Sequence, residues 1–431
     1  MKLTISWKKL YASSNNARWV LFVLVYFVIA QALVTDINMN RVVLYFGDIL
    51  NIYVFYKALY NRRVNSKRLV MPELFMIAFI ILGIMVSFIQ KVNPMLVFWG
   101  IRNNAGVFLF FFSCVTFLKL QDYKIIFRWL AILFWISLPL AMLEVMAFPK
   151  EGQWTGDMTG GIFFGTGGSS FLNVLISCYI AYVVVRFFKG EIKFSYFLLC
   201  VLSSVFEAAL GEIKIFFIEI ILIMISAVFF SGVSKKMILR VLVSVFLFVI
   251  LLSGMGALFS AYNASQFSSY TNNFSPAFFL KAATNTQGYN GLGGGELNRL
   301  SGLGQLMGGV MKGNVVSHFF GFGLGSAEFN NFFSSPFYRT HPYLHYQWFS
   351  DLWMFIEMGF VGIFLYLMPF VLSFRKINKV LKKSTQGGFV KVGILLMILM
   401  FVYNSSLRDY SSAYFLFCLL ALPYVAVKTK L

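Results

Sequence analysis

The chain of 431 residues is 59% hydrophobic and only 12% charged, with a mean hydropathy of +0.78, where a soluble domain carries about 25% charge. Water is excluded as its main solvent. The formal net charge of +20 belongs to topology and not to a nucleic-acid-binding face, because the basic residues sit between hydrophobic runs.

The N-terminal stretch MKLTISWKKLYASSNNAR, followed by WVLFVLVYFVIAQALV, has the basic flank of a signal peptide but no small-residue cleavage site, so it reads as a retained first span. Windows of about 19 residues predict helical spans over 19–35, 41–59, 70–89, 105–120, 125–147, 169–188, 194–211, 213–232, 241–262, 350–374, 391–406 and 411–427. Such runs suit a hydrocarbon core of about 30 Å. The alternating ten-residue strands of an outer-membrane barrel are missing. The expectation is an all-α polytopic membrane protein of about twelve transmembrane helices. It divides into 1–262 with spans one to nine, 263–349 as an extracytoplasmic helical loop, and 350–431 with the last three spans. Cys114, Cys178, Cys200 and Cys418 all fall within spans, which provides neither a disulfide framework nor a metal-ligand spacing.

A cytoplasmic N-terminus places Lys2, Lys8, Lys9, Arg62, Arg63, Lys67, Arg68, Lys235, Lys236 and the run from Arg375 to Lys391 inside. The outer face then keeps only Arg41, Lys91, Arg102, Lys150, Lys214, Lys281, Arg299, Lys312, Arg339 and Arg408. The positive-inside rule selects this orientation, with both termini cytoplasmic.

Between spans nine and ten lie roughly 85 residues, a length that is functional or disordered in a compact protein. Phe274, Phe278, Phe279, Tyr289, Phe319, Phe320, Phe329, Phe332, Phe333 and Tyr338 make it too aromatic for a solvated tether. Leu297, Leu300, Leu303, Leu306, Met307, Val310 and Met311 recur at helical spacing. They predict an amphipathic helix stopping at Gly313 and lying on the membrane surface or on the rest of the loop. GYNGLGGGE and FFGFGLGS read as glycine hinges. Neither sits in a strand–turn–helix unit that would hold a nucleotide.

His318, His341 and His345, the only histidines, all fall in this loop. They read as a general base or as donors to a phosphate or sugar oxygen, against the plainer reading of surface histidines near headgroups. The spacing of His341 and His345 resembles half a metal site, yet Pro342 starts a helix there and no third ligand is evident. No metal and no cofactor is expected. The outer cations Arg102, Lys214, Arg299, Arg339 and Arg408 could grip a lipid-linked phosphate, or could simply snorkel to headgroups.

Around ALGEIKIFFIEI, Glu207, Glu212, Lys214 and Glu219 crowd the turn between spans seven and eight and should face protein. Glu212 and Lys214 either pair structurally, or Lys214 holds a pyrophosphate while a glutamate accepts a proton. Asp351 and Glu357 lie six apart and form no close dyad, so Glu357 reads as orienting the loop. Asp48 and Glu144 read as isolated carboxylates. No repeat and no matched pair of broken helices, the marks of a secondary transporter, is visible.

The late outer loop, Arg299 opening a helix, FFGFGLGS, a histidine shortly after it, and EMGFVG leading into the next span occur in the order seen in a known group. The chain resembles, over nearly its whole length, the O-antigen polymerase and O-antigen ligase superfamily, including the Wzy-type polymerases of bacterial surface polysaccharide assembly. The resemblance implies a GT-C-like architecture in the bacterial cytoplasmic membrane. It also implies metal-independent transfer of a glycan from an undecaprenyl-pyrophosphate donor to an acceptor hydroxyl on the extracytoplasmic side. Membrane lipid, and a chain-length regulator and flippase, would be its partners, with no nucleic acid. By the same resemblance, the loop arginines Arg299 and Arg339, with Lys214, would hold the pyrophosphate and His341 or His345 would serve the acceptor; by their place at the outer face, Arg102 and Arg408 join the pyrophosphate candidates and Glu212 the proton acceptors. The usual histidine–asparagine pair is absent here, with His341 before Pro342, and Lys214 stands where relatives often carry arginine.

Overall fold

A computed structural model describes residues 12–36, 39–66, 68–147, 159–163, 168–211, 213, 215–231, 297–299, 301–329, 333–382 and 384–430. Within them the chain is helical, and the only strand-like pairing is one isolated bridge, Phe329 with Ser334. Among the described residues nine helices are long and apolar enough to cross a membrane, so this is an all-α, polytopic membrane protein. In chain order they are α1 (Asn15–Asp36), α2 (Val42–Val64), α3 (Met71–Ile89), α4 (Pro94–Phe117), α5 (Leu120–Ala147), α6 (Gly168–Phe188), and later the helices Ser350–Val380, Thr385–Tyr403 and Tyr410–Lys430. Two shorter apolar helices, α7 (Phe194–Leu210) and α8 (Phe216–Ser231), fill the predicted spans seven and eight. The predicted ninth span, 241–262, lies outside the described residues.

In the described part of the loop three short α-helices follow: α9 (Gly302–Gly308), α10 (Val315–Phe320) and α11 (Pro336–Thr340). The chain then closes with α12 (Ser350–Val380), α13 (Thr385–Tyr403) and α14 (Tyr410–Lys430). Helices α6, α13 and α14 are central. In the packing, α12 lies along α3, α14 along α4, and α6 along α8. All four cysteines are buried and free, as small core residues should be.

Three differences from the sequence expectation have a clear physical reason. Helix α4 starts at Pro94 and not near 105, because Asn93 caps it by accepting from Met95 N at 2.9 Å and Pro94 suits the first helical position. Arg102, Asn103 and Asn104 lower the local hydropathy but lie inside this helix. The amphipathic helix is only α9, since Gly308 and Gly309 are poor helix formers and Gly309 leaves helical geometry. Leu297, Leu306 and Met311 still bury their side chains, against Leu352, Phe355 and Ile356 of α12. The predicted face therefore packs on the loop's own core. Leu300 lies outside the described residues.

The third difference is that α12 is broken. Gly359 takes φ +60° and ψ −162°, and a Cβ there would lie 2.4 Å from the Phe319 carbonyl carbon. The part before Gly359 belongs to the loop core, and the part after it runs on as a span. Such a break was not visible in the sequence, where EMGFVG reads as continuous helix.

Candidate functional site

At one end of the bundle the loop meets Ser87 of α3, Leu96 of α4 and the turn 404–409. The N-terminus of α12 is tied there, because Ser350 donates its N–H to Asn404 O at 3.0 Å and its Oγ–H to the same oxygen at 2.8 Å.

FFGFGLGS is no hinge. Gly321, Gly323 and Gly325 take φ values of +70°, +93° and +85°, a region open to glycine at little cost. Their Cα atoms press on backbone: a Cβ would meet Glu357 C at 2.3 Å, Ser87 Cα at 2.5 Å and Leu96 O at 2.2 Å, respectively. This turn is wedged between α3, α4 and the break in α12. The broken helix leaves two carbonyls open, and the turn fills them: Phe322 N–H donates to Ile356 O and Gly323 N–H to Glu357 O, both at 2.8 Å. Glu357 does orient the loop, its Oε1 accepting from Gly325 N at 3.0 Å.

Beside this turn a buried polar chain links four elements. Arg102 of α4 lies 2.6 Å from Asp48 Oδ2 of α2 through Nη2, and its Nε donates to the same oxygen at 2.8 Å. Asp48 is thus not isolated: with α4 starting at Pro94, Arg102 lies within the helix beside it. Tyr45 and Trp99 face the guanidinium at 4.5 and 4.6 Å. The neighbouring Asn103 donates to Glu328 Oε1 at 2.9 Å, and Arg408 Nη2 donates to that same oxygen at 3.0 Å. Arg408 also lies 3.9 Å from Glu357 Oε2 and stacks 3.8 Å above Trp353. Burial pushes the Glu328 carboxyl above its ordinary range, with Arg408 pulling against that shift. Next to it, Asp409 accepts from Ser405 Oγ at 3.2 Å, and burial raises its pKa to about 6.

The structure therefore brings Arg102 and Arg408 together, but it commits both to carboxylates. Arg299 differs. Its guanidinium lies 4.2 Å over Tyr403 and 6.0 Å over Phe349, and its Nε is buried with no acceptor among the described residues. A buried guanidinium N–H without an acceptor is costly, and a bidentate oxyanion is its natural complement. Arg339 stands exposed on α11.

His341 follows α11, with Nδ1 2.7 Å from Thr340 Oγ1 and 3.3 Å from Phe337 O. With Nδ1 protonated toward these oxygens, Nε2 carries the lone pair and can act as a base. His345 adopts a left-handed conformation at φ +49° and stacks on Trp348 at 4.3 Å. A 3-10 turn over Pro342–Leu344 separates the two histidines, so they do not share a helical face. No group of metal-ligating side chains occurs among the described residues. His318 turns inward, its Nε2 2.9 Å from Met311 O.

Glu212 and Lys214 lie outside the described residues. Their neighbours Glu207 and Glu219 are fully buried and do face protein, Glu219 accepting from Asn173 at 3.0 Å and from Ser177 Oγ. Glu144 is also engaged, accepting from Gly160 N at 3.0 Å and Gly161 N at 3.2 Å.

The sequence reading missed Glu328, Asn103 and Trp353 as members of the site. One signal was available, because Glu328 is the single acid between residues 297 and 350. No family model matches the chain, and no curated protein matches it.

Proposed function

We propose that this protein is an extracytoplasmic glycosyltransferase that polymerises oligosaccharide repeat units from undecaprenyl-pyrophosphate donors. The observation that carries this reading is Arg299: a half-buried arginine whose Nε is buried with no acceptor among the described residues, at the loop end of the bundle, beside the rings of Tyr403 and Phe349. A donor used away from cytoplasmic nucleotides must arrive in the membrane with its leaving group attached, and a lipid pyrophosphate meets both needs. In this reading the loop end faces outward from a bacterial cytoplasmic membrane, as the distribution of basic residues indicates, and the bundle is of the GT-C type.

Chemically, the acceptor hydroxyl attacks the anomeric carbon, a carbon–oxygen bond forms there, and the bond to the pyrophosphate oxygen breaks with its electron pair. Arg299 stabilises the charge growing on that leaving group. Arg339, exposed nearby in sequence to His341, adds a further cation. His341 Nε2 takes the acceptor proton. Arg102, already neutralised by Asp48, and Arg408, which holds Glu328 and Glu357, position the glycine turn and the loop above it.

A second reading, secondary transport, draws on the break at Gly359, since broken helices line transporter sites. One experiment separates them. Purified protein in proteoliposomes, given a lipid-pyrophosphate-linked oligosaccharide, should yield a ladder of products longer than one repeat. Transfer of a preformed long chain to a lipid acceptor, without a ladder, would make it the ligase instead. Uptake of labelled solute with the oligosaccharide unchanged would overturn the proposal in favour of transport.

A further inference from the structure

Helix α10 is turned inside out relative to a water-soluble helix. Its outward face is Val315, Val316, Phe319 and Phe320, with relative exposures of 62%, 64%, 51% and 40%. Its polar residues point the other way: Ser317 is fully buried and His318 turns to Met311 O. An amphipathic helix on a soluble loop would bury the phenylalanines and show the serine and histidine to water.

The apolar face continues into membrane-spanning surface. Phe319 meets Phe360 at 6.5 Å, and Phe364, one turn further along α12, meets Phe75 of α3 at 6.4 Å. Phe360 and Phe364 are exposed, as are Leu74, Ile77, Ile81, Ile84 and Phe88 along one face of α3. That stripe has the spacing of a lipid-facing helix surface.

The segment after α10 then lies at membrane depth. Leu324 packs on Gly83, six residues before α3 ends at Ile89, which is about 9 Å along the axis at 1.5 Å per residue. Irregular backbone at such depth must have its polar groups satisfied by protein, and five of them are. Gly321 N–H goes to Ser317 O at 2.8 Å, Phe322 and Gly323 N–H to the carbonyls opened by Gly359, and Gly325 N–H to Glu357. Leu324 O accepts from Ser87 Oγ at 3.0 Å.

We infer that α10 and the glycine turn form a re-entrant hairpin dipping into the bilayer, with the outer face of α10 in contact with lipid acyl chains. The loop is thereby anchored in the membrane beside its own spans and not suspended above them. This is independent of the reaction the protein catalyses, and it fixes the height at which the loop end meets a lipid-borne ligand.

The test is a collision measurement on a nitroxide label. Phe319→Cys, Val316→Cys, Phe88→Cys and Arg339→Cys are each labelled and reconstituted into vesicles of phosphatidylethanolamine and phosphatidylglycerol. The native cysteines are buried, and the parent protein carried through the same labelling gives the background. All four positions are exposed, so the substitutions leave no cavity. Labels at 319 and 316 should collide with oxygen several-fold more than with a water-soluble nickel chelate, as at the lipid-facing position 88, while position 339 should show the reverse. Nickel-dominated collisions at both 319 and 316, matching 339, would overturn the inference.

Discussion

Replacing Gly323 by alanine tests the wedge that holds the loop to the bundle. At φ +93° an L-residue pays about 1–2 kcal/mol for the left-handed backbone. The new Cβ would stand 2.5 Å from Ser87 Cα and 2.6 Å from Ser87 N. Those are backbone atoms of α3 and cannot swing aside as a side chain can. Overpacking of this kind costs about 1–3 kcal/mol, so the total is about 2–5 kcal/mol. At about 2 °C per kcal/mol, the figure for larger domains, apparent melting should fall by about 4–10 °C. Gly313→Ala is the matched control, because Gly313 has φ +78° with nothing within 4 Å of a Cβ. It should lose only the torsional part, about 2–4 °C. The assay is thermal unfolding of detergent-purified protein at one fixed scan rate. If Gly323→Ala loses no more than Gly313→Ala, the turn is not wedged against α3 and the account of the loop is wrong.

Other consequences follow from the buried polar chain. Arg408→Ala leaves Glu328 and Glu357 buried without their cation, and should cost about 3–5 kcal/mol. Arg408→Met combined with Glu328→Gln should recover much of that loss in the same melting assay, and failure to recover would mean the pair is not coupled. Asp409, with its pKa raised to about 6 from the usual 3.8, binds its proton more tightly folded than unfolded. Its contribution to stability therefore falls as pH rises through 4 to 6, and Asp409→Asn should flatten that slope and melt higher than wild type at pH 8. His341→Ala should reduce transfer by about 10²–10⁴-fold, the range for a general base, and His341→Gln should not restore it, whereas a merely structural histidine would be rescued by the amide.

Much of the bundle was legible because spans declare themselves by apolar length, and α3 and α6 fall close to their predicted bounds. The start of α4 was not, since Arg102 and Asn103 look like loop residues until Asp48 and Glu328 are seen to receive them inside the protein. Asn103 and Glu328 are 225 positions apart, and hydropathy has no access to such a pairing. The loop's aromatics announced that it was packed, and Phe329, stacked on Tyr338 at 4.5 Å, shows how. Phe274, Phe278, Phe279, Tyr289, Phe332 and the upstream GYNGLGGGE lie outside the described residues. FFGFGLGS is conspicuous as sequence but reads as flexible, because the close approach of Ser87, Leu96 and Glu357 that demands glycine is a tertiary fact. The packed core of the loop also takes in Leu352, Trp353, Phe355 and Ile356, since Gly359 ends the first part of α12 where the sequence shows only continuous apolar helix.

The central claim is that Arg299 supplies the charge that receives a pyrophosphate leaving group. It is tested most directly by the single-turnover rate of glycan transfer from a lipid-pyrophosphate donor, wild type against Arg299→Ala, with melting measured on the same samples. The rate should fall by about 10²–10³-fold with little change in melting. An unchanged rate in a folded Arg299→Ala protein would contradict it.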